Sequence, residues 1–156
     1  MALLVGTRAR VVVVESLETY AHGPVIFAFH RHYGFASNTV AEAQAMLDGI
    51  TLCNKLGLSS IVVESDSSVV VEAAMDPLAH CPWNIWYRLG AIHLFRRSFN
   101  ICFRHIFREG NSMADALARM ASKGCGNSFY CSWLDLPRKV KGLLVLDKVG
   151  LGYLRT

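Results

Sequence analysis

The sequence predicts a mixed α/β fold in which helices cover a β-sheet. Two β-branched runs come first, and helical and strand patterns then alternate along the chain. Strands joined through helices run parallel, so we expect a sheet that is partly antiparallel and partly parallel. The 156 residues are 53% hydrophobic and 18% charged, which is enough to bury the core of one domain.

The first half of the chain predicts two strands and a long helix. Residues 11–15 and 25–30 are rich in valine and aromatic residues, and we expect them to pair as an antiparallel hairpin. Apolar side chains then recur at three- and four-residue steps over 39–56, which indicates an amphipathic helix. Asn38 is a candidate N-cap of this helix, and Gly57 is expected to end it.

The remaining elements are shorter. Residues 60–64 have three consecutive apolar residues, as in a short strand covered on both faces, and helices are predicted over 69–74 and 82–97. Residues 99–107 place phenylalanine, isoleucine and histidine side chains on one face and asparagine, cysteine, arginine and isoleucine side chains on the other. This alternation predicts a strand. A helix over 111–121 follows, and a short helix is expected to begin at a later proline.

Composition limits the possible functions. No apolar run approaches the roughly 20 residues of a membrane-spanning helix, and the N-terminus does not match a secretory signal. We therefore expect a soluble intracellular protein with no membrane partner.

The five cysteines contain no CxxC pair, so we expect Cys53 and Cys102 to be small core residues. Trp83 and Trp86 are expected to be packing residues, with stacking on bases beside Arg88 as the alternative. The net charge of +4 is compatible with phosphate backbones.

Three carboxylates lie in three different local settings. Glu42 lies near the start of the long helix, Asp66 follows the buried strand, and Asp115 lies in the first turn of a later helix. Brought together, they would form an acidic pocket for divalent cations such as Mg²⁺. Each also has a structural interpretation, because the helix dipole favours acidic residues in a first turn and Asp66 could be an ordinary helix cap.

Three segments together resemble the type 1 ribonuclease H-like domain that is common in plant genomes and is related to that of reverse transcriptases. They are residues 41–49 (AEAQAMLDG), 63–67 (VESDS) and 105–118 (HIFREGNSMADALA). The resemblance implies a ribonuclease H-like mixed β-sheet flanked by helices over residues 1–123. A C-terminal extension would then occupy residues 124–156.

The resemblance implies hydrolysis of the RNA strand of RNA–DNA hybrids, with two Mg²⁺ or Mn²⁺ ions held by an Asp-Glu-Asp-Asp set. Glu42 matches the second acidic residue of that set, Asp66 the third and Asp115 the fourth. His105 matches a mobile histidine that assists proton movement or product release. Its alternative is a strand residue that faces the core.

Three further side chains are candidates for nucleic-acid contacts. Asn38 matches a polar position that touches nucleic acid in relatives, besides being a candidate N-cap. Arg104 and Arg108 flank the predicted site and are candidates for phosphate contacts, with solvated surface charges as the alternative.

The sequence departs from the family at the first acidic residue, which the family carries in an Asp-Gly pair on its first strand. Residues 1–10 contain no acidic residue, so we expect a truncated or altered N-terminal strand. Glu15 and Glu18 are the nearest carboxylates, and Glu15 could substitute only in a re-registered sheet, which would flip side chains between faces. Since the missing ligand is expected to bridge both ions, its loss should weaken metal binding sharply.

Two hypotheses about function follow. The first is a ribonuclease H-type enzyme that acts by two-metal hydrolysis. The second is a catalytically inactive relative that binds nucleic acid or a protein. If an upstream exon supplies the Asp-Gly strand, we expect the enzyme; if this chain is the complete product, we expect weak or absent cleavage.

Overall fold

The structure is a computed structural model that describes residues 2–6, 9–13, 25–58, 60–98, 100–123 and 126–148. Within these ranges the strands are β1 (Ala2–Gly6), β2 (Ala9–Val13), β3 (Val25–His30), β4 (Ser60–Ser65), β5 (Asn100–His105) and β6 (Ser128–Tyr130). The helices in the same ranges are α1 (Asn38–Lys55), α2 (Ser68–Met75), α3 (Trp86–Phe95), α4 (Ser112–Ser122) and α5 (Arg138–Lys148). The predicted mixed α/β class is confirmed.

The described strands form one sheet in the order β5-β4-β2-β1-β3-β6. β4 and β5 are parallel, as the helical connection between them predicts. β1 pairs antiparallel with β2 and parallel with β3. The predicted hairpin between residues 11–15 and 25–30 is therefore wrong, because β1 lies between the two strands. Only residues 7–8 separate β1 from β2, which is the length of the commonest connection between antiparallel strands.

Helices cover both faces of the sheet. Alternate residues of β3 show this arrangement, because Phe29 packs into one core and Ala28 into the other. The first core lies under α1, α2 and α3 and includes Met46, Ile50, Ile61, Val63, Val71, Leu89 and Ile92. The second lies under α4 and α5 and includes Met113, Leu117, Leu136, Val140, Leu143 and Leu144.

Helix α1 differs from its prediction at its start. Ser37, not Asn38, occupies the N-cap position, and its hydroxyl accepts a hydrogen bond from the Val40 amide at 3.4 Å. Glu42 consequently lies beyond the first turn, so the helix dipole does not explain it. Gly57 has a φ of +71°, the left-handed conformation that ends many helices, as predicted.

Two expectations about packing are wrong. Trp83 and Trp86 are 88% and 73% exposed. They belong to a segment that begins with a 3₁₀ turn and continues as α3, and the buried face of this segment consists of Ile85, Leu89 and Ile92. Cys102 is exposed on β5, the edge strand, whereas Cys53 is buried as expected. Burial raises the pKa of the Cys53 thiol to about 12.

The described part of the C-terminal extension packs onto the rest of the chain. β6 pairs antiparallel with β3, and apolar side chains of α5 contact α4 in the second core. None of the helices that the structure describes is both long enough and apolar enough to cross a membrane.

Candidate nucleic-acid site

A cavity of about 270 Å³ lies between the loop that follows β3, the start of α1, and α4. We call it the α1–α4 cavity. Its lining includes loop residues 31–34 together with Asn38, Glu42, Asp115, Arg119 and Ser122. Glu42 and Asp115, which come from two separate sequence motifs, therefore meet in one place, and Asn38 lies one helical turn from Glu42 on α1.

The two carboxylates of this cavity have different surroundings. Glu42 is only 7% exposed, between the buried residues of α1. Asp115 lies in the first turn of α4, where one of its oxygens is 2.6 Å from Nη2 of Arg119 and the other is 3.8 Å from Nη2 of Arg108. Two guanidinium groups thus face one carboxylate, and both oxygens of Asp115 lie close to a cation.

Asp66 lies away from the cavity lining, at the end of β4. Its Oδ1 accepts a hydrogen bond of 3.0 Å from Nδ2 of Asn111, the residue that precedes α4. Ser67, rather than Asp66, occupies the N-cap position of α2, so the simple cap interpretation of Asp66 is wrong. Asp66 instead ties the end of a central strand to the start of the helix that carries Asp115.

The three carboxylates do not form a metal centre as they are arranged here. Among the residues that the structure describes, no group of three or more His, Cys, Asp and Glu side chains could hold a metal ion. Both oxygens of Asp115 face guanidinium groups, and Asp66 does not line the α1–α4 cavity. Neither β1 nor β2 contains a carboxylate, and Glu15 and Glu18 lie outside the described residues. The role of the three carboxylates as ligands stays a prediction.

His105 and Arg104 lie on the other side of Asp66, at the end of β5. His105 is exposed, opposite Ser65 in the parallel pairing, and its ring contacts Phe107 edge-on at a centroid distance of 6.1 Å. The interpretation of His105 as a core residue is therefore wrong. Arg104 is also exposed, opposite Glu64. Their predicted catalytic and phosphate-binding roles stay predictions.

The residues that shape the loop wall of the cavity are not predicted by the sequence motifs. Asp48 on α1 accepts hydrogen bonds from Arg31 at 2.8 Å, from the Tyr33 hydroxyl at 2.9 Å and from Gln44 at 2.9 Å. The contacts of Arg31 and Tyr33 hold the loop against the helix, and only tertiary structure reveals them. The pairs Gln44–Asp48 and Asp115–Arg119 are each four residues apart on one helix, a spacing that indicates contact from sequence alone.

The C-terminal extension also holds this loop. Asn127 accepts a hydrogen bond of 2.9 Å from the His32 amide. The Arg31 guanidinium lies 5.7 Å from the centre of the Phe129 ring on β6, within the range of a cation–π contact. One wall of the cavity therefore depends on a segment beyond the residues that carry the three motifs.

Comparison with known proteins places the chain in a family. Neither a curated protein nor a solved structure gives a significant match. The model of the family described as reverse transcriptase-like matches residues 5–121, most of the 156 residues, and the matched part contains Glu42, Asp66 and Asp115. The chain therefore belongs to the reverse transcriptase-like family and is a ribonuclease H-like domain of the nucleic-acid-binding, nuclease-like type.

Proposed function

We propose that this chain binds RNA–DNA hybrids at the α1–α4 cavity. The observation that carries the proposal is the meeting of Asn38, Glu42 and Asp115 in one cavity whose rim also carries Arg31 and Arg119. The side chains of these arginines are 38% and 61% exposed, so a ligand can reach part of each. Guanidinium groups match phosphate oxygens in geometry as well as in charge.

The arginines and Asn38 would contact different parts of the nucleic acid. The arginines would contact phosphates, which position a nucleic acid without reading its sequence. Asn38 is exposed at the start of α1, and its amide can both donate to and accept from a ribose 2′-hydroxyl, the group that distinguishes RNA from DNA. We therefore expect the RNA strand to contact the side of the cavity that α1 forms.

The binding proposal predicts weaker binding when the arginines are neutralised. We expect Arg31→Gln and Arg119→Gln to lower the affinity for a fluorescent RNA–DNA hybrid, measured by anisotropy in EDTA. The slope of log affinity against log salt should fall by about 0.7–0.9 for each lost phosphate contact. Lys55→Gln is a matched control, because Lys55 is exposed at the opposite end of α1 from Asn38.

The result that would contradict the proposal is equal affinity and equal salt dependence in all four proteins, or no binding of the hybrid by the unchanged chain. Thermal unfolding of each variant checks that a lost affinity is not a lost fold. This check matters most for Arg31→Gln, which also removes the ion pair with Asp48.

A second candidate function is hydrolysis of the RNA strand with Mg²⁺ or Mn²⁺. The observation in its favour is that Glu42 and Asp115, two of the three matching carboxylates, line the same cavity. The test incubates the purified chain with the hybrid and either ion. Cleavage that Asp66→Asn abolishes, and that the exposed control Glu72→Gln on α2 retains, would support the enzyme. Binding without cleavage would support the inactive relative.

A further inference from the structure

A second cavity, of about 130 Å³, lies between α4 and α5, and we call it the α4–α5 cleft. Its polar lining consists of Arg108, Glu109, Ser112, Asp115, Arg119 and Lys139. Asp115 and Arg119 also line the α1–α4 cavity. The two cavities therefore share one ion pair as a common wall, and the cleft continues the polar surface of the cavity toward α5.

The charges in the cleft favour an anion. Three cationic side chains and two carboxylates line it, which gives a formal charge of +1. Asp115 is already engaged by Arg119 and Arg108. Lys139 is exposed on the first turn of α5 and forms no ion pair with any other residue that the structure describes. The Ser112 hydroxyl adds a neutral donor.

The lining of the cleft suits a phosphate group. The space of about 130 Å³ offers three cationic side chains and a hydroxyl. None of its lining residues is aromatic, so none can stack on a base. Its chemistry therefore matches the backbone of a nucleic acid rather than its bases.

We infer that the α4–α5 cleft binds a backbone phosphate of the same nucleic acid that occupies the α1–α4 cavity, with Lys139 as the contact supplied by the C-terminal extension. This inference rests on the proposed function. The strand would pass over the shared Asp115–Arg119 pair, from the wall formed by the loop after β3 to the wall formed by α5. The extension would then serve both cavities, since Asn127 and Phe129 hold the loop and Lys139 contacts a phosphate.

Charge-changing variants on opposite sides of the cleft test this inference. Lys139→Gln should weaken hybrid binding about fivefold at 0.1 M salt and lower the salt slope by about 0.7–0.9, as expected for one lost phosphate contact. Glu109→Gln should strengthen binding, because it removes a carboxylate from the same cleft. Lys123→Gln is the matched control, because this exposed lysine at the end of α4 lines neither cavity.

The outcomes separate the inference from the proposed function. The opposite effects of Lys139→Gln and Glu109→Gln, with Lys123→Gln unchanged, would support the cleft, since a purely structural role would not move affinity in both directions. If the unchanged chain binds the hybrid and Lys139→Gln has the same affinity and salt slope, the inference fails alone. If the unchanged chain does not bind the hybrid, the proposed function fails with it.

Discussion

Asp48 fixes the loop that forms one wall of the α1–α4 cavity. Its carboxylate accepts three hydrogen bonds, two of them from Arg31 and Tyr33 in the loop, and its side chain is only 16% exposed. Hydrogen bonds to a charged acceptor are stronger than neutral ones. The placement of Arg31 on the cavity rim therefore depends on a carboxylate that does not line the cavity itself.

Replacing Asp48 should lower both stability and affinity. We expect Asp48→Ala to reduce the free energy of unfolding by about 1.5–3 kcal/mol, because it leaves partly buried donors without their acceptor. Urea denaturation measures this change, and anisotropy with the hybrid should show weaker binding. Glu72→Ala, at an exposed position of α2, should change stability by less than about 0.5 kcal/mol. Equal stability of the two variants would show that Asp48 does not hold the loop.

Helix α5 shows how an element can be predicted while its place in the fold cannot. The proline that precedes it and the apolar residues within it predict a short helix, and Val140, Leu143 and Leu144 lie on one face of it. The surface that this face covers is set by Met113 and Leu117 on α4, which are distant in sequence. Sequence periodicity carries no information about such a partner.

A pair of leucines tests whether α5 belongs to the folded domain. Leu144 is 3% exposed in the second core, whereas Leu134, just before α5, is 81% exposed. Leu144→Ala should therefore cost about 2–5 kcal/mol in the free energy of unfolding, and Leu134→Ala less than about 0.5 kcal/mol. A small cost for Leu144→Ala would mean that α5 does not pack on α4 in solution.

Local signals explain which elements the sequence predicted well. Helix α1 and strand β4 lie within one residue of their predicted bounds, because apolar periodicity and a β-branched run determine them. The pairing of β1 with both β2 and β3 depends on competition between partners, which the sequence of each strand does not show. The same limit applies to the site, where the motifs indicated the carboxylates and Arg108 but not Arg31, Arg119 or the contacts of Asp48.

Because helices cover both faces of the sheet, the fold predicts which cysteine thiols react with a reagent. Cys102 and Cys131 are exposed, whereas Cys53 is buried in the first core with a pKa of about 12. Cys53 therefore remains a protonated, inaccessible thiol at pH 8. A thiol reagent followed by mass spectrometry should label Cys102 and Cys131 quickly and Cys53 only after denaturation. Rapid labelling of Cys53 in the native chain would contradict the packing of α1 on the sheet.

The central claim is that nucleic acid contacts the face of the molecule where α1, α4 and the loop after β3 meet. This face combines two of the three matching carboxylates, Glu42 and Asp115, with partly exposed arginine side chains. The exposed aromatic residues Trp83, Trp86 and Tyr87 lie on a different segment, at the start of α3. Exposed aromatic rings also stack on bases, so this segment is the natural competing surface.

Titration of the ¹⁵N-labelled chain with an RNA–DNA hybrid, followed by NMR, tests this claim most directly, and a chain of 17.3 kDa suits the method. We expect amide shifts to concentrate in residues 31–42 and 108–122, with a further group at the start of α5. Shifts confined to residues 83–95, with the α1–α4 cavity unchanged, would contradict it.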